Sequence, residues 1–357
     1  MANRTRDPGK IPVAVLGATG AVGQRFVQLL VDHPWFELAA LAASEQSAGR
    51  PFAERASWVI PGDPPPWVQE MIVRPLVPDL PARIVFSALP ASVAGEVEPA
   101  FARAGYAVCS NASAFRQAPQ VPLLIPEVNA DHVRLIEGQR AVEGWPGLIV
   151  TSPNCTCTGI AMPLKPLHEA FGLRRVFAVS MQAISGAGYP GVASLDILGN
   201  VVPYIGGEEA KIEQEARLLL GTIQDGRRVK AGLVISAQAN RVPVLDGHTI
   251  CLSLGFEGGA TVEGAIEALR EFRGPEVVRQ LPSAPERPIL VRSEPDRPQP
   301  RRDRDAGGGM AISVGRVRPC PLLDLRLVSV SHNTMRGAAS GSVLNAELLV
   351  ASGLVGR

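Results

Sequence analysis

Residues 11–33, IPVAVLGATGAVGQRFVQLLVDH, run from an apolar stretch through a glycine turn into an amphipathic stretch. This feature constrains the fold more than any other. Ile11 to Leu16 has no polar face, so it reads as a strand buried on both sides. The helical periodicity that follows it gives a β-turn-α unit. Three further apolar runs repeat the pattern: FELAALAAS, ARIVFSALP and YAVCSNAS. A helical stretch around Val93 to Ala104 separates the last two. GLIVTSPNC reads as the last strand of this half. Strands alternating with helices predict a parallel, doubly wound sheet.

The chain then changes character. RRVFAVSMQAIS, KAGLVISAQANRVPV, GHTICLSLGFE, PILVRSE, MAISVGRVR and LLDLRLVSVSH are six strand-like runs with fewer helices between them. They suit a mixed or antiparallel sheet in an α+β domain. SEPDRPQPRRDRDAGGG reads as a long exposed loop, and RGAASGSVLNAELLVASG as a final helix. A chain of 357 residues exceeds the usual single core, which agrees with two domains.

A net charge of +1 gives no sign of nucleic acid as a partner. The longest uncharged run, Val176 to Leu195, holds Gln182, several glycines and Pro190, which is too polar and broken for a membrane span. The basic start followed by apolar residues has the outline of a signal peptide, but glycines cut the apolar part short. Cysteines stand at 109, 155, 157, 251 and 320 without metal-ligand spacing, so no metal is expected. Reduced thiols in the cytoplasm are the simplest reading.

Two motifs carry chemistry. GATGAVG places Gly17, Gly20 and Gly23 between strand and helix, a GxxGxxG variant of the dinucleotide fingerprint. Its candidate contacts are Gly17, Thr19, Gly20, Ala21, Val22 and Gly23. After the second strand, Ser44, Ser47 and Arg50 suit a 2′-phosphate and favour NADP, while Glu45 favours NAD. The second motif is SPNCTCTGIAMP. Cys155 falls in the first turn of a helix, where a thiol is activated. Taken alone, Cys155 is as well read as a packing residue, and Cys157 better so. Pro163, inside the same helix, is expected to kink it.

GATGAVG, SPNCT, QAISGAGYPG, GEEAK, RVPVLDGH and SHNTMRGAASGSVLNAELL occur in an order that resembles the aspartate-semialdehyde dehydrogenases, with the archaeal and fungal branch nearest. The resemblance spans nearly the whole chain. It implies a Rossmann-like dinucleotide-binding domain over residues 1–152, completed by a C-terminal helix at 336–357. It also implies an α+β catalytic and oligomerisation domain with a mixed sheet over 153–335. The implied roles are Cys155 as nucleophile, Gln182 orienting the acyl group and His248 as acid/base, taking the thiol proton. Arg241 grips the substrate carboxylate, Glu208 the ammonium, and Lys211, Arg116 and Asn111 the phosphate. Gly186 and Asn333 lie on the cofactor side.

The implied activity is reversible reduction of L-4-aspartyl phosphate to L-aspartate 4-semialdehyde with NADP, NAD being the alternative, in lysine, threonine and methionine biosynthesis. The expected partners are the small-molecule substrate and phosphate, with the chain assembled as a homodimer or homotetramer. Three rivals remain. A paralogue reducing malonyl-CoA or another short acyl substrate would not need Glu208, nor would an N-acetylglutamyl-phosphate reductase. An idle dinucleotide sensor would have lost one of Cys155, Gln182, Arg241 and His248, and all four are present. Singly, each residue has a plainer reading: His248 a structural histidine, Arg241 a surface charge, Glu208 and Lys211 a helical ion pair.

Overall fold

The computed structural model describes residues 9–356, so the basic residues at the very start lie outside it. The described chain separates into two compact units. One comprises residues up to 124, 131–152 and 339 onward; the other comprises 125–130 and 153–338.

The first unit is built on β1 (Ile11–Leu16), α1 (Ala21–Leu30), β2 (Phe36–Ala42), β3 (Ile84–Ser87), α2 (Ala91–Arg103), β4 (Ala107–Ser110), α3 (Leu135–Glu143) and β5 (Leu148–Thr151). The strands pair in the order β2-β1-β3-β4-β5, all parallel. Every residue of β3, β4 and β5 is buried, as a sheet covered on both faces requires. One face is closed by α1, where Phe26 stacks on Phe86 with ring centroids 5.0 Å apart. On the other face Phe101 of α2 meets Tyr106 edge-on.

The second unit contains α4 (Cys155–Phe171), β6 (Leu173–Gln182), α5 (Glu208–Leu219), β7 (Thr222–Gln224), β8 (Arg227–Val229), β9 (Val234–Arg241), β10 (His248–Phe256), α6 (Val262–Glu271), β11 (Ile289–Val291), β12 (Ile312–Pro319) and β13 (Leu325–Ser331). The six runs read from the sequence form one mixed sheet, ordered β11-β12-β13-β10-β6-β9. Burial alternates along β6, β9 and β10, so only one face is covered. Helix α4 packs on that covered face, against β6, β10, β12 and β13. Phe177 and Val234 stand on the open face, 40% and 68% exposed. A small β7–β8 hairpin escaped the sequence reading.

Helix α4 runs unbroken through Pro163 and Pro166. Pro163 has no N–H for the Gly159 carbonyl four residues earlier. The hydroxyl of Ser329 on β13 donates to that carbonyl instead, at 3.0 Å. The stretch 293–309 also differs from a plain exposed loop. Pro300–Asp303 forms a helical turn, and Asp303 is fully buried between Arg292 and Arg297. Charge in that segment is spent on internal pairing, which its composition does not reveal. The chain ends with α7 (Ser340–Ala351) in the first unit, entered through a π-turn at Met335–Ala339. Among the described residues, no helix is long and apolar enough to cross a membrane.

Candidate active site

The glycine turn is shaped by backbone crowding. Gly17 has φ +77°, and a Cβ there would lie 2.9 Å from the Ala88 carbonyl oxygen. A Cβ on Gly23 would sit 2.2 Å from the Gly17 oxygen. Gly20 is different: its Cβ would meet only the Gly17 oxygen, at 3.6 Å, which is ordinary contact. Gly20 caps α1 without a side-chain hydrogen bond, and the first turn carries no acidic residue. Thr19, Ala21 and Val22 complete the turn. An uncapped helix N-terminus beside open space fits the diphosphate of a dinucleotide, which would supply both cap and counter-charge.

Ser44 and Ser47 lie in the turn after β2, where the Ser47 N–H donates to the Ser44 carbonyl at 2.9 Å. Arg50 is exposed there, 3.7 Å from Glu54. Glu45 is exposed as well. After β4, Arg116 is buried and its Nη2 donates to the Asn111 carbonyl at 2.8 Å. Asn111 Nδ2 is a buried donor with no hydrogen-bond partner, the kind of group an anion satisfies.

The second unit gathers the remaining candidates. Strand register does much of this: Gln182 ends β6 directly opposite Arg241 at the end of β9, and His248 opens β10 beside them. Cys155 begins α4. Its Sγ lies 3.1 Å from His248 Nε2. Asn154 caps the helix, its Oδ1 accepting from Thr156 N at 2.8 Å and Cys157 N at 3.3 Å. Glu208 is buried at the start of α5. One of its oxygens, Oε1, accepts from Asn154 Nδ2 at 2.8 Å, Gln182 Nε2 at 3.0 Å and Thr156 Oγ1 at 3.2 Å. The other, Oε2, faces Lys211 Nζ at 3.9 Å.

His248 is fully buried, and its tautomer follows from one contact. The backbone N–H of Ala183 donates to Nδ1 at 3.0 Å. A backbone N–H only donates, so Nδ1 carries no proton and the neutral ring holds its proton on Nε2, aimed at Cys155. Burial pushes the imidazole pKa down to about 3, with the charges of Arg241 and His332 adding to the shift. His248 is therefore neutral at physiological pH and a donor toward sulfur. With its proton on Nε2, the ring donates to Cys155 Sγ, and the sulfur is the acceptor of that contact.

Arg241 is buried with Nη1 donating to the Ala183 carbonyl at 2.7 Å. Burial draws its pKa down, while negative charge at Cys155 and Glu208 draws it up. Gly186 lies against this group: a Cβ there would stand 2.8 Å from Arg241 Nη1 and 3.1 Å from His248 Cε1. Asn333 ties two loops, its Oδ1 accepting from Gly247 N and its Nδ2 donating to Ser185 Oγ, both at 2.8 Å. Cys157 is fully buried, its Sγ toward the Lys211 carbonyl at 3.6 Å.

Sequence reasoning passed over three members of this constellation. Asn154 is a preferred capping residue type directly before the helix, so its role was readable. Gly337 in the π-turn packs tightly on Cys155; a Cβ there would lie 2.6 Å from Cys155 Cβ. Glu215, one α5 face-repeat beyond Glu208, touches the Asn154 backbone.

Residues 12–136 match the semialdehyde dehydrogenase NAD binding domain, and residues 164–336 the semialdehyde dehydrogenase dimerisation domain. An aspartate-semialdehyde dehydrogenase of Archaeoglobus fulgidus is 51% identical over 340 residues, covering 95% of this chain and 97% of that protein. The enzyme of the same name from Schizosaccharomyces pombe is 46% identical, covering 96% of this chain and 99% of its own. The crystal structure of the Candida albicans aspartate-semialdehyde dehydrogenase with NADP is similar at TM-score 0.90 and 43% identity, covering 97% of this chain and 100% of that one. Family models and full-length relatives converge: the chain belongs to the aspartate-semialdehyde dehydrogenase family.

Proposed function

We propose that this chain interconverts L-aspartate 4-semialdehyde and phosphate with L-4-aspartyl phosphate, using NADP, through an acyl group held on Cys155. One observation carries the proposal. A cysteine at a capped helix N-terminus sits 3.1 Å from the donor nitrogen of a buried, neutral histidine, with a carboxylate, an amide and a guanidinium around it.

In the oxidative direction Cys155 Sγ adds to the aldehyde carbon, and the carbonyl electron pair moves to oxygen. The Nε2–H of His248 donates to that oxyanion. NADP⁺, when bound, would accept the hydride whose loss leaves the adduct a thioester; the glycine turn would hold it, with Ser44, Ser47 and Arg50 toward the 2′-phosphate. Phosphate oxygen then displaces sulfur, and the thiolate returns to its place beside Nε2–H. Arg116, Asn111 and Lys211 are the proposed phosphate contacts. Arg241 grips the substrate carboxylate as a fork. Glu208 Oε1 is already occupied, so its Oε2 is assigned to the substrate ammonium, and Gln182 orients the acyl group. Gly186 and Asn333 shape the nicotinamide side of this group of residues.

In this reading residues 1–152 with the C-terminal helix form the cofactor domain and 153–335 the catalytic and oligomerisation domain. The half-apolar open face of the second sheet, with Phe177 and Val234, supports assembly as a homodimer or homotetramer. Five free cysteines agree with a cytoplasmic enzyme.

The test is an assay following the reduced cofactor. A rate is expected only with aspartate semialdehyde, phosphate and NADP⁺ together. No rate under those conditions, with reduction of malonyl-CoA instead, overturns the substrate assignment.

A further inference from the structure

Glu215 takes no part in the chemistry described above, yet it is buried at 1% exposure directly behind the nucleophile. Its Oε2 accepts from the backbone N–H of Asn154 at 2.6 Å. Asn154 is the cap of α4, and Cys155 is the next residue. Glu208 and Glu215 are seven residues apart on α5, which puts them on one helix face, two turns apart. Glu208 holds the Asn154 side chain and Glu215 holds its backbone. The two carboxylates thus fix both ends of the capping residue.

We propose that Glu215 is a positioning residue for the nucleophile: its carboxylate anchors the Asn154 backbone and so sets where Cys155 leaves the helix cap. The hairpin β7–β8 serves the same end, because Arg228 brings a positive charge beside Glu215. The cost of keeping this carboxylate buried is met by that charge and by the hydrogen bond to Asn154. The anion also has an electrostatic effect on the sulfur. A negative charge near the helix start opposes a second one on Cys155, so removing it should make the thiolate easier to form. Among the ionisable groups, His248 and Arg241 from the sheet act directly on Cys155, Lys211 of α5 faces Glu208, and Arg228 faces Glu215.

This inference rests on Cys155 being the nucleophile but not on the identity of the aldehyde. Its test therefore reads the sulfur directly, by iodoacetamide alkylation of the Cys155 peptide across pH, beside steady-state kinetics normalised to titrated Cys155. Glu215→Gln keeps an oxygen for the Asn154 N–H and should retain kcat within about threefold. Its alkylation midpoint should fall by about half a pH unit or more. Glu215→Leu keeps the volume but not the acceptor. It should lose about 30-fold or more in kcat per titrated site, with KM for the cofactor unchanged. A folded Leu variant with wild-type kcat overturns the proposal, as does a Gln variant that loses as much as Leu. Should the Leu variant not fold, the Gln variant decides alone: retained kcat with a lowered midpoint supports the proposal, and an unmoved midpoint or a collapsed kcat overturns it. Loss of dehydrogenase activity in the wild type with normal alkylation would count against the substrate assignment and leave this inference standing.

Discussion

Two helix N-termini in this molecule are prepared for negative charge, and they are prepared in opposite ways. Helix α1 begins at Gly20 with no side-chain cap and no carboxylate in its first turn. Helix α4 begins at Asn154 with a side-chain cap, and two buried carboxylates hold that cap from α5. In the proposed function, the first end is left bare for an anion that arrives with a ligand and completes the cap on binding. The second, in the same reading, aims an anion that belongs to the chain, so its geometry is set before substrate arrives. A helix terminus that binds and one that reacts therefore differ in how many side chains are committed to them.

The largest test of that contrast is Cys155→Ser. Turnover should fall by about 10⁴-fold, because a serine hydroxyl has no comparable anion, while cofactor affinity measured by calorimetry stays unchanged. Lost cofactor affinity would show the two termini to be one coupled device.

Next comes the histidine that serves the reacting end. The folded pKa of His248 lies below its unfolded value near 6.5. The unfolded chain takes up the proton first as pH falls, so stability present above about 6.5 is lost on the way to about 3. The expected slope from this group is up to about 1.4 kcal/mol per pH unit. Urea unfolding of the wild type and His248→Asn across that range checks it: the variant should show a flatter acid limb.

At the binding end, Gly23→Ala should destabilise the fold by about 2 kcal/mol or more, since its Cβ meets backbone. Gly20→Ala should leave the melting temperature nearly unmoved and raise KM for NADP about tenfold. Equal effects at the two glycines would deny that the space beside Gly20 is kept for a ligand. The smallest effect expected is that of Cys157→Ser, with kcat within about threefold, because Cys157 points into packing. A dead Cys157 variant beside a live Cys155 variant would exchange their roles.

Much of this was open to sequence reasoning. The strand Ile11–Leu16 declares itself through an unbroken apolar run, and all six strands of the second sheet through apolar runs. What the sequence hides is pairing. Nothing in a linear reading sets Gln182 opposite Arg241, which is a matter of register. Nor does composition show that Asp303, in a segment crowded with charge, is buried by two arginines. The β7–β8 hairpin is missed because its strands are three residues long and half exposed. Most instructive is His248. A sequence supplies the ring, but only the Ala183 N–H decides which nitrogen keeps the proton.

The Ser329 hydroxyl on the Gly159 carbonyl has a consequence of its own. Where a proline deletes a rung of helix bonding, the missing rung is replaced from the sheet, so α4 is bolted sideways at mid-length to β13. Rotation or sliding of the rod that carries the reactive sulfur must break that bolt. Positions 163 and 329 are thus joined as a lock and its keeper.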